Sequence, residues 1–234
     1  MKTNIQVLDH GLIRLVSYMQ PVPENKTDDW NGDLEISRNA RVSYDAEGRP
    51  EDEKLINFLY ANGHNTPFEA MTFTFEIKAP IFVFRQWHRH RTQSYNELSA
   101  RYRELPEIFY IPELDQITTQ STDNKQMRTN EPNPNALEIQ SILHRGNTRD
   151  FEEYHKLLEL GCPRELARTK LPFGTYSHMF ATVNLNNLFK FIAERSHAHA
   201  QYEIRVYSDA LLELIEPIVP ASVKAFKKEF NKGV

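Results

Sequence analysis

The sequence predicts an α+β fold, and three observations carry that prediction. Met71, Phe73, Phe75 and Ile77 alternate with Thr72, Thr74, Glu76 and Lys78, the period of a strand with one buried face. Ile5, Val7, Ile13, Leu15 and Val16 form two short apolar runs around Gly11, which read as a hairpin. In the last third Leu185, Leu188, Phe189 and Ile192 have helical i, i+3, i+4, i+7 spacing, and Ile204, Tyr207, Leu211, Leu214, Ile215 and Ile218 repeat it. Strands come early and helices late, and residues 1–234 read as a single domain.

Each remaining element has its own signal. After the hairpin, residues 21–33 are polar and read as a loop. Residues 34–43 and 51–62 read as helices; in the second, Leu55, Phe58 and Leu59 share a face and Gly63 is the stop just past the end. Pro80 ends the alternating strand. Residues 112–134 are rich in Asp, Thr, Asn and Pro with few apolar anchors, and read as a mobile loop or surface insertion. A helical pattern returns over 136–160, Pro163 opens a short helix, 180–183 reads as a strand, and Asn184 opens the C-terminal helices.

Composition excludes several function classes. Hydrophobic residues at 40% and charged residues at 26% are globular values, not those of a disordered or collagen-like chain. Lys and Arg total 28 against 32 Asp and Glu, so the net charge of −4 argues against a nucleic-acid polymer as the main partner. Cys162 is the one cysteine, which precludes an intramolecular disulfide and fits a cytoplasmic setting. Asn4, Gln6, Asp9 and His10 interrupt any apolar leader. The run around Ile81, Phe82, Val83 and Phe84 falls far short of the ~20 residues that span a bilayer, so no membrane is expected as a partner. The 8 glycines are too scattered to write either G-x-G-x-x-G or G-x-x-x-x-G-K. Any nucleotide phosphate must therefore be held by side chains.

Residues 85–103 read RQWHRHRTQSYNELSARYR, with arginines at 85, 89, 91, 101 and 103 and histidines at 88 and 90. A solvated charged face is normally rich in Lys and Glu, whereas this one is Arg-only, and Arg offers planar forks for phosphate and carboxylate. The segment reads as an anion or nucleotide site, with a surface patch or an oligomer interface as the alternative. A second constellation has Arg164 and Arg168 flanking Glu165, and Arg195 on the apolar face of its helix, where it either pairs with a carboxylate such as Glu194 or Glu203 or reaches into a site. His64, between a helix end and a strand start, is a candidate base or simply exposed. His88-x-His90 and His197-x-His199 are the metal-like patterns, but H-E-x-x-H and a cysteine pair are absent, so no metal is expected. Cys162 stands before Pro163 beside Arg164, a setting that lowers a thiol pKa; an incidental cysteine is the plainer alternative.

These residues together resemble the flavin-dependent thymidylate synthases. The hallmark of that family is R-H-R, seven residues, then S, met here by Arg89-His90-Arg91 and Ser99. Gln86-Trp87, Asn96-Glu97-Leu98 and Arg101-Tyr102 extend the match. So do Ala40-Arg41-Val42-Ser43, His64-x-Thr66-Pro67-Phe68-Glu69, Pro163-Arg164-Glu165-x-Ala167-Arg168, Thr182-Val183-Asn184, and Arg195 with His199-Ala200-Gln201. The resemblance runs from about residue 5 to about residue 226, and Lys190 and His88 depart from the residue types commonest in the family.

The resemblance implies a flavin-dependent thymidylate synthase fold, a small antiparallel or mixed sheet with helices, assembled as a homotetramer whose flavin sites draw on several subunits. It implies a methyltransferase that makes dTMP from dUMP, with 5,10-methylenetetrahydrofolate as carbon donor and FAD reduced by NADPH as hydride donor. Gln86, Trp87, His88, Arg89, Glu97, Leu98, Ser99, Ala100, Arg101, Arg168 and Arg195 would form the dUMP site. Ser43, His64, Thr66, Arg89, His90, Arg91, Glu97, Asn184, Asn186 and Lys190 would contact FAD. Arg195 would be catalytic, favouring ionisation at N3 of the uracil. Ser99 lacks an obvious base and is assigned to binding rather than attack. Two other classes stay in view: a nucleic-acid-binding module built on the Arg/aromatic segment, and a metal-dependent hydrolase built on the H-x-H pairs.

Overall fold

A computed structural model describes residues 2–26, 30–42 and 53–232. In chain order the first elements are β1 (Asn4–Val7), β2 (Gly11–Tyr18), α1 (Gly32–Ala40), α2 (Glu53–Ala61), β3 (Thr72–Pro80), α3 (Ile81–Trp87) and β4 (Ser94–Glu97). They are followed by β5 (Thr118–Gln120), β6 (Arg128–Pro132), α4 (Ala136–Glu159), α5 (Arg164–Ala167), β7 (Tyr176–Asn184), α6 (Leu185–Arg195), α7 (Tyr202–Ile215) and α8 (Pro220–Phe230). The main sheet runs β1-β2-β3-β7-β4, with every neighbouring pair antiparallel.

The core lies on one face of this sheet. Phe73, Phe75 and Ile77 of β3 turn inward beside Met179, Ala181 and Val183 of β7, as the alternation requires. Leu185, Leu188, Phe189 and Ile192 of α6 and Ile204, Tyr207, Leu211, Leu214 and Ile215 of α7 cover them, so both helical stripes read from sequence are buried. The hairpin at Gly11 is tight for a physical reason: a Cβ there would collide with the Tyr207 hydroxyl. That hydroxyl donates to the Lys78 carbonyl at 2.8 Å, tying α7 to β3. A smaller cluster of Phe151, Tyr154 and Ala167, with Phe109 and Leu171 against it, joins α4 to the short α5 turn.

Several sequence expectations are corrected. The sheet is not confined to the early chain: β7 inserts between β3 and β4, so a strand from the last quarter of the sequence is an interior strand. The 112–134 segment is not a plain loop but carries the hairpin β5/β6. Its cohesion comes from polar contacts, which hydropathy does not reveal: the Thr119 and Thr129 hydroxyls are 2.6 Å apart and Gln120 Nε2 donates to the Met127 carbonyl at 2.7 Å. Phe58 does not share the buried face of α2; it is 57% exposed, while Ile56 and Leu59 face α8. The first helix begins at Gly32, two residues earlier than its hydropathy suggests, because the Asn31 side chain accepts from the Asp33 backbone N–H and caps it. Gly63 does end α2, at φ +69°, with the His64 N–H donating to the Leu59 carbonyl and the Gly63 N–H to the Tyr60 carbonyl.

One buried acid fastens the two ends of the chain. Asp33 is fully buried and accepts from the backbone N–H groups of Ala221 (2.7 Å) and Ser222 (3.1 Å) at the start of α8. A carboxylate at a helix N-terminus satisfies donors that the helix itself cannot. Asp33→Ala is expected to cost roughly 3 kcal/mol in denaturant unfolding, since it strands those donors in the core. A loss within about 0.5 kcal/mol, the range of an ordinary surface change, would contradict this role.

Candidate functional site

The Arg-rich segment is bent over the end of the sheet. Pro80 closes β3 and stands at the N-cap of α3, whose Val83, Phe84 and Trp87 go into the core. Arg85, four residues after Ile81, shares its face and points the other way, into a cleft. The chain then turns and returns as β4, the edge strand, in register Glu97↔Met179 with β7. The Leu98 N–H donates to the His178 carbonyl at 2.7 Å and Ser177 Oγ donates to Glu97 Oε1 at 2.9 Å, fixing the residues that follow.

The cleft so formed has a volume of about 490 Å³, within the roughly 300–1,000 Å³ of small-molecule sites. Of the residues expected at the substrate, Glu97, Leu98, Ser99, Ala100 and Arg168 line it. Leu105, Leu171, Pro172 and Phe173 supply an apolar wall, and Arg85 and Arg168 the cationic end. Arg168 Nε donates to the Glu165 carbonyl, which aims the side chain, and among the described residues no carboxylate pairs with either guanidinium. Ser99 Oγ accepts from the Arg101 N–H at 3.3 Å and has no base hydrogen-bonded to it among the described residues. Arg101 sits at the rim, paired with Glu165 at 3.3 Å.

A second group adjoins α3 and the end of α6. Arg195 Nε donates to His90 Nε2 at 2.9 Å, and its Nη2 donates to the Gln86 carbonyl at 3.4 Å. The carboxylate partner entertained for Arg195 is thus not Glu203, which is held by Arg128, Tyr110 and Gln201 instead. Because Arg195 can only donate, His90 Nε2 must carry a lone pair. Burial and the adjacent Arg195 guanidinium both lower the His90 pKa, with Glu194 opposing them weakly. Arg89 and Arg91, on the turn around His90, are exposed and have no carboxylate partner among the described residues.

Other expected site residues lie apart. The Trp87 ring is not available to a ligand: it is buried 4.6 Å from Phe191, with Nε1 donating to Gln93. The His88 ring packs between Phe84 and Tyr95 rather than into the cleft. Asn184 caps α6 by accepting from the Asn187 N–H, and Asn186 donates to Glu69 Oε1 at 2.9 Å, beside Thr66. His64 and Lys190 are exposed, and Ser43 lies outside the described residues. The expected flavin contacts therefore fall at both ends of α6, whose 11 residues put them roughly 16 Å apart. His197 and His199 stack on each other, and among the described residues no three His, Cys, Asp or Glu side chains gather as a metal site. Cys162 is half-buried against Pro163 and does not line the cleft.

Thr169, Phe173 and Ser177 line the cleft without having been singled out in the sequence, and Arg85, though part of the Arg-rich segment, was not among the residues expected at the substrate. Arg85 was recoverable from its i, i+4 relation to Ile81 once α3 is read as a helix; Ser177 had no signal, being one of the polar residues that open a strand.

Three kinds of comparison relate the chain to known proteins. Residues 27–221 match the family model described as thymidylate synthase complementing protein. A flavin-dependent thymidylate synthase of Treponema denticola is 42% identical over 239 residues, covering 100% of this chain and 85% of that one. Those of Ehrlichia ruminantium (42%; 94% and 72% covered) and Dictyostelium discoideum (40%; 95% and 73%) are similar. Among solved structures, the UMP/dUMP methylase PolB of Streptomyces cacaoi, bound with 5-Br dUMP, superposes with a TM-score of 0.82 at 30% identity, covering 96% of this chain and 97% of that one.

The His90–Arg195 contact makes its own prediction. In ring-proton NMR the His90 midpoint is expected below the ordinary 6.5, and Arg195→Met should move it upward by removing the like charge. The stability this lone pair contributes is present above pH 6.5 and is lost as the pH falls through the lowered value. A midpoint at or above 6.5 would contradict the geometry.

Proposed function

The chain belongs to the flavin-dependent thymidylate synthases, and we propose that its Arg85/Arg168 cleft takes the dUMP that the enzyme methylates to dTMP. The single observation that carries this placement is a pair of unneutralised guanidinium groups over an apolar wall, beside the Ser99 turn. Arg forks suit the doubly charged phosphate. Leu98, Ala100 and Phe173 suit the sugar and base faces, while Glu97, already fixed by Ser177, offers a carboxylate oxygen to a hydroxyl or an N–H.

Arg195, at the end of α6, does not line the cleft itself but donates to the carbonyl of Gln86, the neighbour on α3 of the cleft residue Arg85. Its backbone position is set by the helix, and its Nε is held by His90. A cation there stabilises negative charge that develops on the uracil when N3 gives up its proton, and the charge spreads to C5, which then attacks the methylene carbon of methylenetetrahydrofolate. The Cys162 thiol stands away from the cleft, so a route through thiolate addition to the ring has no residue to perform it among the described ones. His90 holds Arg195 only when neutral, which keeps this arrangement intact at neutral pH.

The residues also fit FAD. Arg89 and Arg91 are exposed without carboxylate partners among the described residues, as a pyrophosphate would require in a chain with no glycine-rich loop. Asn184 and Asn186 at the start of α6, and Thr66 on the turn that carries the Asn186 partner Glu69, offer polar contacts at the other end of α6. Bound flavin, reduced by NADPH, supplies the hydride that completes the methyl group. The division of its contacts between the two ends of α6 supports a flavin site completed across subunits. So does the first half of α4, which leaves Leu137, Ile142 and Leu143 exposed, a surface suited to the homotetramer of the family.

The test is spectroscopic and kinetic. The purified chain should carry or take up a yellow chromophore that NADPH bleaches, and it should form dTMP when dUMP and methylenetetrahydrofolate are added. Arg168→Ala should raise KM for dUMP roughly 10- to 100-fold, the worth of a charged hydrogen bond. Arg195→Ala should abolish turnover while flavin is retained. A preparation that cannot be reconstituted with flavin, or wild-type turnover in Arg195→Ala, would contradict the reading.

A further inference from the structure

We propose that Glu203 is a positioning residue: through Gln201 it fixes the side-chain amide of Gln86 so that this residue meets the nucleotide with its carbonyl oxygen. The inference rests on the reading of the cleft as a dUMP site and adds to it a rule about which way one amide must face.

The rule follows from a chain of three contacts. Glu203 lies in the first turn of α7 with its side chain only 3% exposed. Its Oε1 accepts from the Tyr110 hydroxyl and from Arg128 Nη2, each at 3.1 Å, and its Oε2 accepts from Gln201 Nε2 at 2.8 Å. A carboxylate in this setting has only acceptors, so Gln201 must turn its NH2 toward Glu203. Its remaining oxygen then faces Gln86, and Gln86 Nε2 donates to it at 2.6 Å. With its nitrogen so directed, Gln86 has its Oε1 left to accept. Reversing Gln201 would set its oxygen against the buried Glu203 carboxylate, and reversing Gln86 would set its oxygen against that of Gln201.

Gln86 follows the cleft residue Arg85 on α3, and its main chain is tied to Arg195. The Gln86 backbone carbonyl accepts from Arg195 Nη2, so Gln86 is held on its main chain by Arg195 and on its side chain by Gln201. An acceptor there reads an O–H or N–H of the nucleoside and rejects a group that presents only lone pairs. Arg128, which completes the Glu203 shell, comes from β6 and also lies over the Tyr202 ring at 5.5 Å. The polar hairpin thus contributes to the site from a distance, because it supplies the cation that keeps Glu203 in place. Burial, then the Glu203 charge, pushes the Tyr110 phenol up, so Tyr110 remains a donor to that carboxylate.

A double-mutant cycle on the full flavin-loaded chain tests the rule, read as KM for dUMP against kcat. In Gln86→Glu one oxygen still meets the nucleotide, but the other faces the Gln201 oxygen, so KM should rise roughly 30-fold. Glu203→Gln alone permits the amide chain to run in either direction and should raise KM only about threefold. Combined, Glu203→Gln lets Gln201 reverse and donate to the new carboxylate, and KM should recover by roughly tenfold relative to Gln86→Glu alone. Gln201→Met, which severs the link at an exposed position without touching Glu203, should give the same recovery and decides the matter if Glu203→Gln does not fold. Fold-changes that simply multiply in both backgrounds would overturn the inference. Absence of dUMP turnover in the wild type would instead overturn the reading of the cleft.

Discussion

Everything at the site depends on the pairing of the short edge strand β4 with β7. The four residues Ser94–Glu97 lie opposite Thr182 to Met179, and the ladder is prolonged by the Leu98 N–H on His178. Because β7 separates β4 from β3, the chain leaving Pro80 must cross the end of β7 before it can pair. It makes that crossing as α3 and a tight turn, which hold most of the Arg-rich segment. The side chains that anchor the crossing are apolar. Val83, Phe84 and Trp87 are buried, each worth about 1.5–3 kcal/mol as a fully buried side chain. Burying that face of α3 leaves Arg85 on the other, so hydrophobic packing places the charge.

The electrostatic state of the site follows from the same geometry. Some surface arginines find carboxylates, as Arg38 does with Glu35 and Arg164 with Glu104. Arg85 and Arg168 do not among the described residues, although the chain carries a net charge of −4. Two unneutralised guanidiniums in an acidic protein make a local positive potential that favours a dianionic nucleotide over the bulk surface. Around Arg195 the logic differs: a neutral imidazole and a carbonyl orient the cation without neutralising it, so its charge remains available to a substrate.

Much of this was legible in the sequence, and the limits have physical causes. The strand at Met71–Lys78 and the helical stripes of α6 and α7 read correctly because burial on one face imposes a period. The Arg-rich segment stands out as a candidate anion site, against a surface patch or an oligomer interface, because Arg without Lys is an unusual solvated face. What failed was information that period does not carry. The place of β7 between β3 and β4 is set by long-range pairing, the β5/β6 hairpin is held by hydroxyls and amides, and Phe58 is exposed although its spacing from Leu55 and Leu59 is that of one helical face. Glu203, Gln201 and Gln86 could not be linked from sequence, since more than a hundred residues separate the two glutamines.

The most direct test of the central claim is a crystal structure of the chain with dUMP. The account predicts phosphate oxygens within hydrogen-bond distance of the Arg85 and Arg168 guanidiniums, with the uracil edge toward Arg195. A nucleotide found with its phosphate elsewhere, for instance against Arg14 and His178 on the opposite sheet face, would contradict it.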